Sequence, residues 1–153
     1  MKHLSLTLIV LLLTGCGQEP MPLPSGKSDF AGVWQLGEYP AGTLADFEGR
    51  YIYLEINPEG NVVYAEFWRS GMTTSCTSIG SSPIKTFTDQ QFEVSVMWVI
   101  TMTYVINAPP HEDNGEWKMS VDGHELTRSD TRNPNGYTFS CDDAGLVRSM
   151  TAA

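Results

Sequence analysis

The sequence predicts an all-β domain: a small antiparallel up-and-down barrel of about eight strands, with a β-sandwich as the alternative. Three observations carry this expectation. Beyond residue 29 the apolar residues recur at every second position in short runs, the period of a half-buried strand. Clusters of Gly, Pro, Asn and Asp separate those runs as turn signals. No segment of that region holds a long helical period. A closed barrel is preferred because it leaves no exposed strand edges.

The chain before the domain reads differently. Lys2 and His3 precede an apolar run from Leu4 to Leu13, and the run ends at Leu13-Thr14-Gly15-Cys16. A basic start, an apolar core too short to span a bilayer and a small-residue ending form a secretory signal. The ending resembles the lipobox of bacterial lipoproteins. That resemblance implies cleavage before Cys16, acylation of Cys16 and a membrane anchor. Gly17 stands where an aspartate would favour inner-membrane retention, so the resemblance implies an outer-membrane address in the cell envelope. Residues 1–15 are then the signal peptide. Residues 16–28, rich in Pro, Gly and Ser, read as a flexible tether, and residues 29–153 as one barrel domain.

The strands are expected in order. Phe30 to Glu38 is the first, with Val33 and Trp34 near its start. Thr43 then begins one short helical turn that ends at Gly49. Arg50 to Asn57 alternates Ile52, Leu54 and Ile56 against Tyr51, Tyr53 and Glu55. Asn57-Pro58-Glu59-Gly60-Asn61 is a tight turn into Asn61 to Arg69. Residues 72–79 form a polar strand, Gly80 to Pro83 a turn, and Ile84 to Thr88 a short strand. Phe92 to Asn107 is too long for one typical strand, so it divides near Met97 to Val99, although no Gly or Asn marks the bend. Residues 108–115 end it. Glu116 to Val121 and His124 to Arg128 form a hairpin about Asp122-Gly123, a type I′ pair. In that register Trp117, Met119, Val121 and Leu126 share a face, with Arg128 opposite Trp117. A short Tyr137 to Cys141 segment follows.

Phe30-Ala31-Gly32-Val33-Trp34-Gln35-Leu36 is similar to the F-x-G-x-W-x-L opening of the lipocalin and fatty-acid-binding-protein superfamily, and Glu125-Leu126-Thr127-Arg128 resembles its closing strand. The resemblance implies a lipocalin-like barrel in which Arg128 lies over Trp34 and seals one end. It also implies a bridge from a mid-barrel strand to the tail, here Cys76 to Cys141. Two cysteines beyond Cys16 in an oxidising compartment independently suggest one disulfide, the alternative being a metal-binding or nucleophilic thiol. A central T-D-Y motif, a long C-terminal helix and a helical lid are all missing from the pattern.

The chain carries 18 Asp and Glu against 9 Lys and Arg, a net charge of −9. Such a surface disfavours nucleic acid and peripheral adsorption to anionic lipid, and is compatible with a basic protein partner. Residues 110–116 concentrate His111, Glu112, Asp113 and Glu116 without the spacing of a calcium loop. His111 and His124 lie near opposite ends of their hairpin, so no metal is expected. Ser129 and Asp130 near His124 have no nucleophile elbow in support. Neither a catalytic residue nor a cofactor is expected. Ile52, Leu54, Phe92, Val94 and Trp98, together with Ile56 and Val96, are expected to face inward. They serve either as core or as the lining of a cavity for a small apolar ligand or lipid. Tyr51, Tyr53 and Phe67 fall on the other face and read as an exposed aromatic patch of the kind that binds proteins. Two functions follow: non-enzymatic binding of an apolar ligand inside the barrel, or a protein-interaction module acting as inhibitor, immunity protein or envelope scaffold.

Overall fold

The computed structural model describes residues 19–37, 48–97 and 99–129. Eight antiparallel strands close into one ring in the order β1-β2-β3-β4-β5-β6-β7-β8. They are β1 (Gly32–Leu36), β2 (Gly49–Ile56), β3 (Asn61–Ser70), β4 (Thr73–Phe87), β5 (Gln91–Val96), β6 (Ile100–Asp113), β7 (Glu116–Val121) and β8 (His124–Ser129). β1 closes the ring on β8 through Val33–Ser129, Trp34–Arg128 and Gln35–Thr127. The barrel expectation therefore holds and the sandwich does not.

The period of two decides which side chains fill the ring. Trp34, Ile52, Leu54, Ile56, Phe92, Val94, Met119 and Leu126 belong to one buried interior cluster. Phe92 stacks on Tyr104 with ring centroids 4.9 Å apart, and Tyr104 lies 5.1 Å from Tyr64. The turns at residues 57–60, 88–90 and 114–115 mark one end of the barrel. Those at 71–72, 97–99 and 122–123 mark the other. Asp122 and Gly123 both have positive φ, as a type I′ turn requires, and so do Asn114 and Gly115.

Three expectations are corrected. Gly80 to Pro83 is not a turn: β4 runs through it as one strand, with a bulge opposite Val62 and Tyr64. The bulge absorbs the extra residues that the sequence presents as turn chemistry. β6 likewise does not stop at Asn107. It continues through Ala108, Pro109 and Pro110 to Asp113, with register shifts between Ile106 and His111. Prolines are tolerated there because β5 begins only at Gln91, opposite Val105, which leaves that edge without a neighbour, and because the register shift between Ala108 and His111 leaves both prolines unpaired on the β7 edge.

Residues 19–28 are not a free tether. Leu23 N–H donates to the Pro58 carbonyl at 3.2 Å, Met21 N–H approaches the Ile84 carbonyl at 3.4 Å, and both side chains pack against the interior cluster. Lys27 pairs with Asp89 in the β4–β5 turn, and this hydrogen bond holds the Asp89 carboxyl below the usual carboxylate range. Gly60 is required here: it has φ +86°, and a Cβ would stand 1.8 Å from the Met21 carbonyl oxygen. A 3-10 turn at Ser28–Phe30 then leads into β1. The signal at 1–15, Cys16, Gly17, the turn begun by Thr43, Trp98, Asp130, the Tyr137 to Cys141 segment and Cys141 lie outside the described residues.

Candidate functional site

The end that receives the N-terminal segment is sealed by Arg128. Its guanidinium carbon lies 5.6 Å from the Trp34 ring and 5.8 Å from the Trp117 ring, and Nη2 donates to the Ala31 carbonyl at 2.8 Å. Trp34 is fully buried and its Nε1 donates to the Phe30 carbonyl at 2.8 Å. The predicted Trp34–Arg128 pairing is thus formed, and Trp117 makes it a three-part stack. Gly32 leaves the guanidinium its space, since a Cβ there would lie 3.1 Å from Arg128 Nε.

The opposite end is polar inside. On β2, β3 and β8 the inward row ends in Arg50, Glu66 and His124. The Arg50 guanidinium contacts His124 Nε2 and pairs with Glu66 at 3.3 Å. Tyr64 Oη donates to Glu66 at 2.9 Å. Burial first, and Glu66 after it, push the Tyr64 phenol above its ordinary range. Burial does the same to Tyr104, followed by the charge of Asp122. The Tyr104 hydroxyl is buried with no hydrogen-bond partner. The sequence offered no signal for this layer, because its members are far apart in the chain and each reads alone as a surface residue.

Between β4 and β5 the wall opens. The two strands pair only from Ile84 to Phe87 against Phe92 to Val94. The next residue of β4 is Pro83, which has no N–H to give β5, and the bulge then carries β4 away. The result is a partly open cleft of about 380 Å³ lined by residues 78–83 of β4 and by Ser95, Val96 and Met97. Ile79 belongs to the interior cluster and Val96 packs against it, so the cleft reaches the core. Ile79 is also the register partner of Tyr64. Gly80 borders open space: a Cβ there meets nothing within 4 Å, and its φ is not in the left-handed region.

The sequence-predicted residues fall into place unevenly. Ile52, Leu54, Phe92 and Val94 face inward and are almost completely buried, packing on one another. None of them lines the β4–β5 cleft. The exposed patch of Tyr51, Tyr53 and Phe67 is corrected: they are 2, 2 and 1% exposed and form a second buried cluster with Val33 and Ala65 on the outer face. Tyr51 stacks on Phe67 at 5.9 Å. The outer face of β2 and β3 is therefore a core, not a docking surface. Cys76, packed at its margin, is disulfide-bonded, and its partner lies outside the described residues. His124 and Ser129 stand at the two ends of β8. Among the described residues no three His, Cys, Asp or Glu side chains are grouped to hold a metal.

Comparison with protein-family models, with curated proteins and with solved structures returns no match.

Proposed function

We propose that this chain is a non-enzymatic lipoprotein, anchored in the outer membrane through Cys16, whose barrel takes a small apolar ligand or lipid at the β4–β5 cleft. The observation that carries the reading is the cleft itself. It has the volume of a small-ligand site, and its lining joins small polar residues, the buried Ser82 and Ser95 among them, to Ile79 and Val96 of the interior cluster. The interior beneath Trp34 is occupied by side chains, so the site lies in the wall. The bridge proposed for Cys76 is to Cys141. Native mass spectrometry of the mature protein tests the reading. A co-purifying or added lipid should bind the wild type and be lost from Gly80→Leu, which adds a bulky side chain at a lining residue whose φ is not left-handed and whose Cβ would meet nothing within 4 Å. A wild-type protein that stays apo after lipid addition would overturn it.

A second reading, a protein-interaction module, rests on the β3–β4 and β5–β6 turns. There Met72, Met97 and Val99 are 102, 79 and 86% exposed. A photo-crosslinker at residue 72 that captures one stoichiometric protein in cells, with Gly80→Leu without effect, favours this reading.

A further inference from the structure

Exposed large apolar side chains are confined to one sector of the barrel. Among the described residues they are Met72, Met97, Val99, Ile100 and Val105, all on the β3–β4 turn, the β5–β6 turn and β6. The segment that carries these residues is itself sparsely charged, although Arg69 and Glu48 pair beside the β3–β4 turn and the Asp122 carboxylate accepts from Val105 N–H. Between residues 71 and 110 the sequence has only Lys85, Asp89 and Glu93, in a chain of net charge −9, and Asp89 is paired with Lys27. The outward row of β6 from Thr101 to Asn107 is Thr, Thr, Val and Asn.

The β5–β6 turn is unlike its neighbours. Those at residues 114–115 and 122–123 use Asn-Gly and Asp-Gly, the inexpensive residues for positive φ. This one reads Val96-Met97-Trp98-Val99-Ile100, and Met97 holds φ +50° with its side chain exposed. A turn that only connected two strands has no reason to hold a methionine in that conformation or to present it, with Val99, to water.

The N-terminal segment meets this sector. Met21 docks beside Ile84, the residue after Pro83 at the lower margin of the cleft. From Cys16 to Met21 the chain spans at most about 18 Å, whatever its conformation. From Val94, the register partner of Ile84, to Met97 is about 10 Å along the strand. A short leash, a cleft and an apolar tip therefore lie in sequence along one wall.

From this arrangement we propose that the β4–β5–β6 wall rests on the bilayer that carries the anchor, with Met97, Val99 and Ile100 at the lipid interface. The cleft then opens toward the membrane, and its ligand is a membrane lipid entering sideways from the bilayer. This deepens the reading given above and rests on it. Burial of a few apolar side chains in the interface is weak alone and becomes effective beside a covalent anchor, as two membrane signals do together.

The test is photo-crosslinking of the mature lipoprotein reconstituted in phosphatidylethanolamine vesicles. A benzophenone amino acid is placed at residue 99 or, on the far wall, at residue 125. Lipid adducts are expected from 99 and not from 125, and Met97→Asp should abolish them with the circular dichroism spectrum unchanged. Adducts from 125 equal to those from 99, or none from 99, would overturn the proposal. Intact mass reads Cys16 acylation separately. If Cys16 proves unacylated, the anchor reading falls, and adducts from 99 in protein added to the same vesicles still decide for or against the wall.

Discussion

Replacing Arg128 with methionine keeps much of the apolar stem and removes everything that the guanidinium does. Three interactions go with it. The cation–π contact with the fully buried Trp34 at 5.6 Å contributes about 1 kcal/mol, and that with the half-buried Trp117 at 5.8 Å about 0.5 kcal/mol. The charged hydrogen bond to the Ala31 carbonyl adds about 1.5 kcal/mol, the low end of its range because Arg128 is part-exposed. The loss is about 3 kcal/mol. For a domain of this size that lowers Tm by roughly 10–20 °C. The seam amplifies the effect, since β1 and β8 meet through three residue pairs with Arg128 in the middle one. Arg128→Lys should recover part of the loss, because an ammonium can face one ring or the carbonyl but lacks the planar fork to serve all three. Urea unfolding followed by tryptophan fluorescence measures both variants. An Arg128→Met protein within about 0.5 kcal/mol of the wild type would show that the stack does not hold the barrel closed.

Tyr104→Phe removes a buried hydroxyl with no partner and should raise stability by about 1 kcal/mol in urea unfolding; a loss of stability would mean that the hydroxyl is satisfied by a group such as a ligand. Tyr64 and Tyr104 both have phenol pKa values raised in the fold, chiefly by burial. The folded state therefore keeps protons that the unfolded chain releases. Stability should be intact below about pH 10 and fall as the pH rises beyond it, with the phenolate absorbance of these two rings, read as the difference from Tyr64→Phe and Tyr104→Phe, appearing only on unfolding. A flat profile to pH 11.5 would contradict the burial of these rings (about 1.5 units above the ordinary tyrosine value). If Cys76 pairs with Cys141, thiol labelling of the unreduced, denatured mature protein should find no free cysteine, whereas labelled Cys76 and Cys141 would retire the bridge.

The barrel was legible because its strands obey the period of two and its turns use residues with specific backbone needs. Asn57 to Asn61 and Asp122-Gly123 turn where their chemistry says they should. Trp34 and Arg128 could be paired in advance because each occupies a position that the superfamily resemblance marks. The sequence misleads where one residue type serves two purposes. Gly80 to Pro83 carries turn chemistry and makes a bulge and a gap in the wall instead. Pro109 and Pro110 look like a stop, and β6 passes them because one edge has no neighbour there and the β6–β7 register shift leaves both out of the ladder on the other. Tyr51, Tyr53 and Phe67 were correctly assigned to the outer face, but alternation alone cannot say whether that face is covered. The cleft was not foreseen, since it depends on where β4 and β5 part company and not on any motif.

The most direct test of the account is a crystal structure of the mature protein extracted from its membrane with its lipid retained. The prediction is acyl-chain density between Gly80 and Ser95, running over Ile79 and Val96, with its open end beside Met97. Ordered water alone in that cleft, with an acyl chain bound elsewhere or nowhere, would contradict the claim that the wall between β4 and β5 is the binding site.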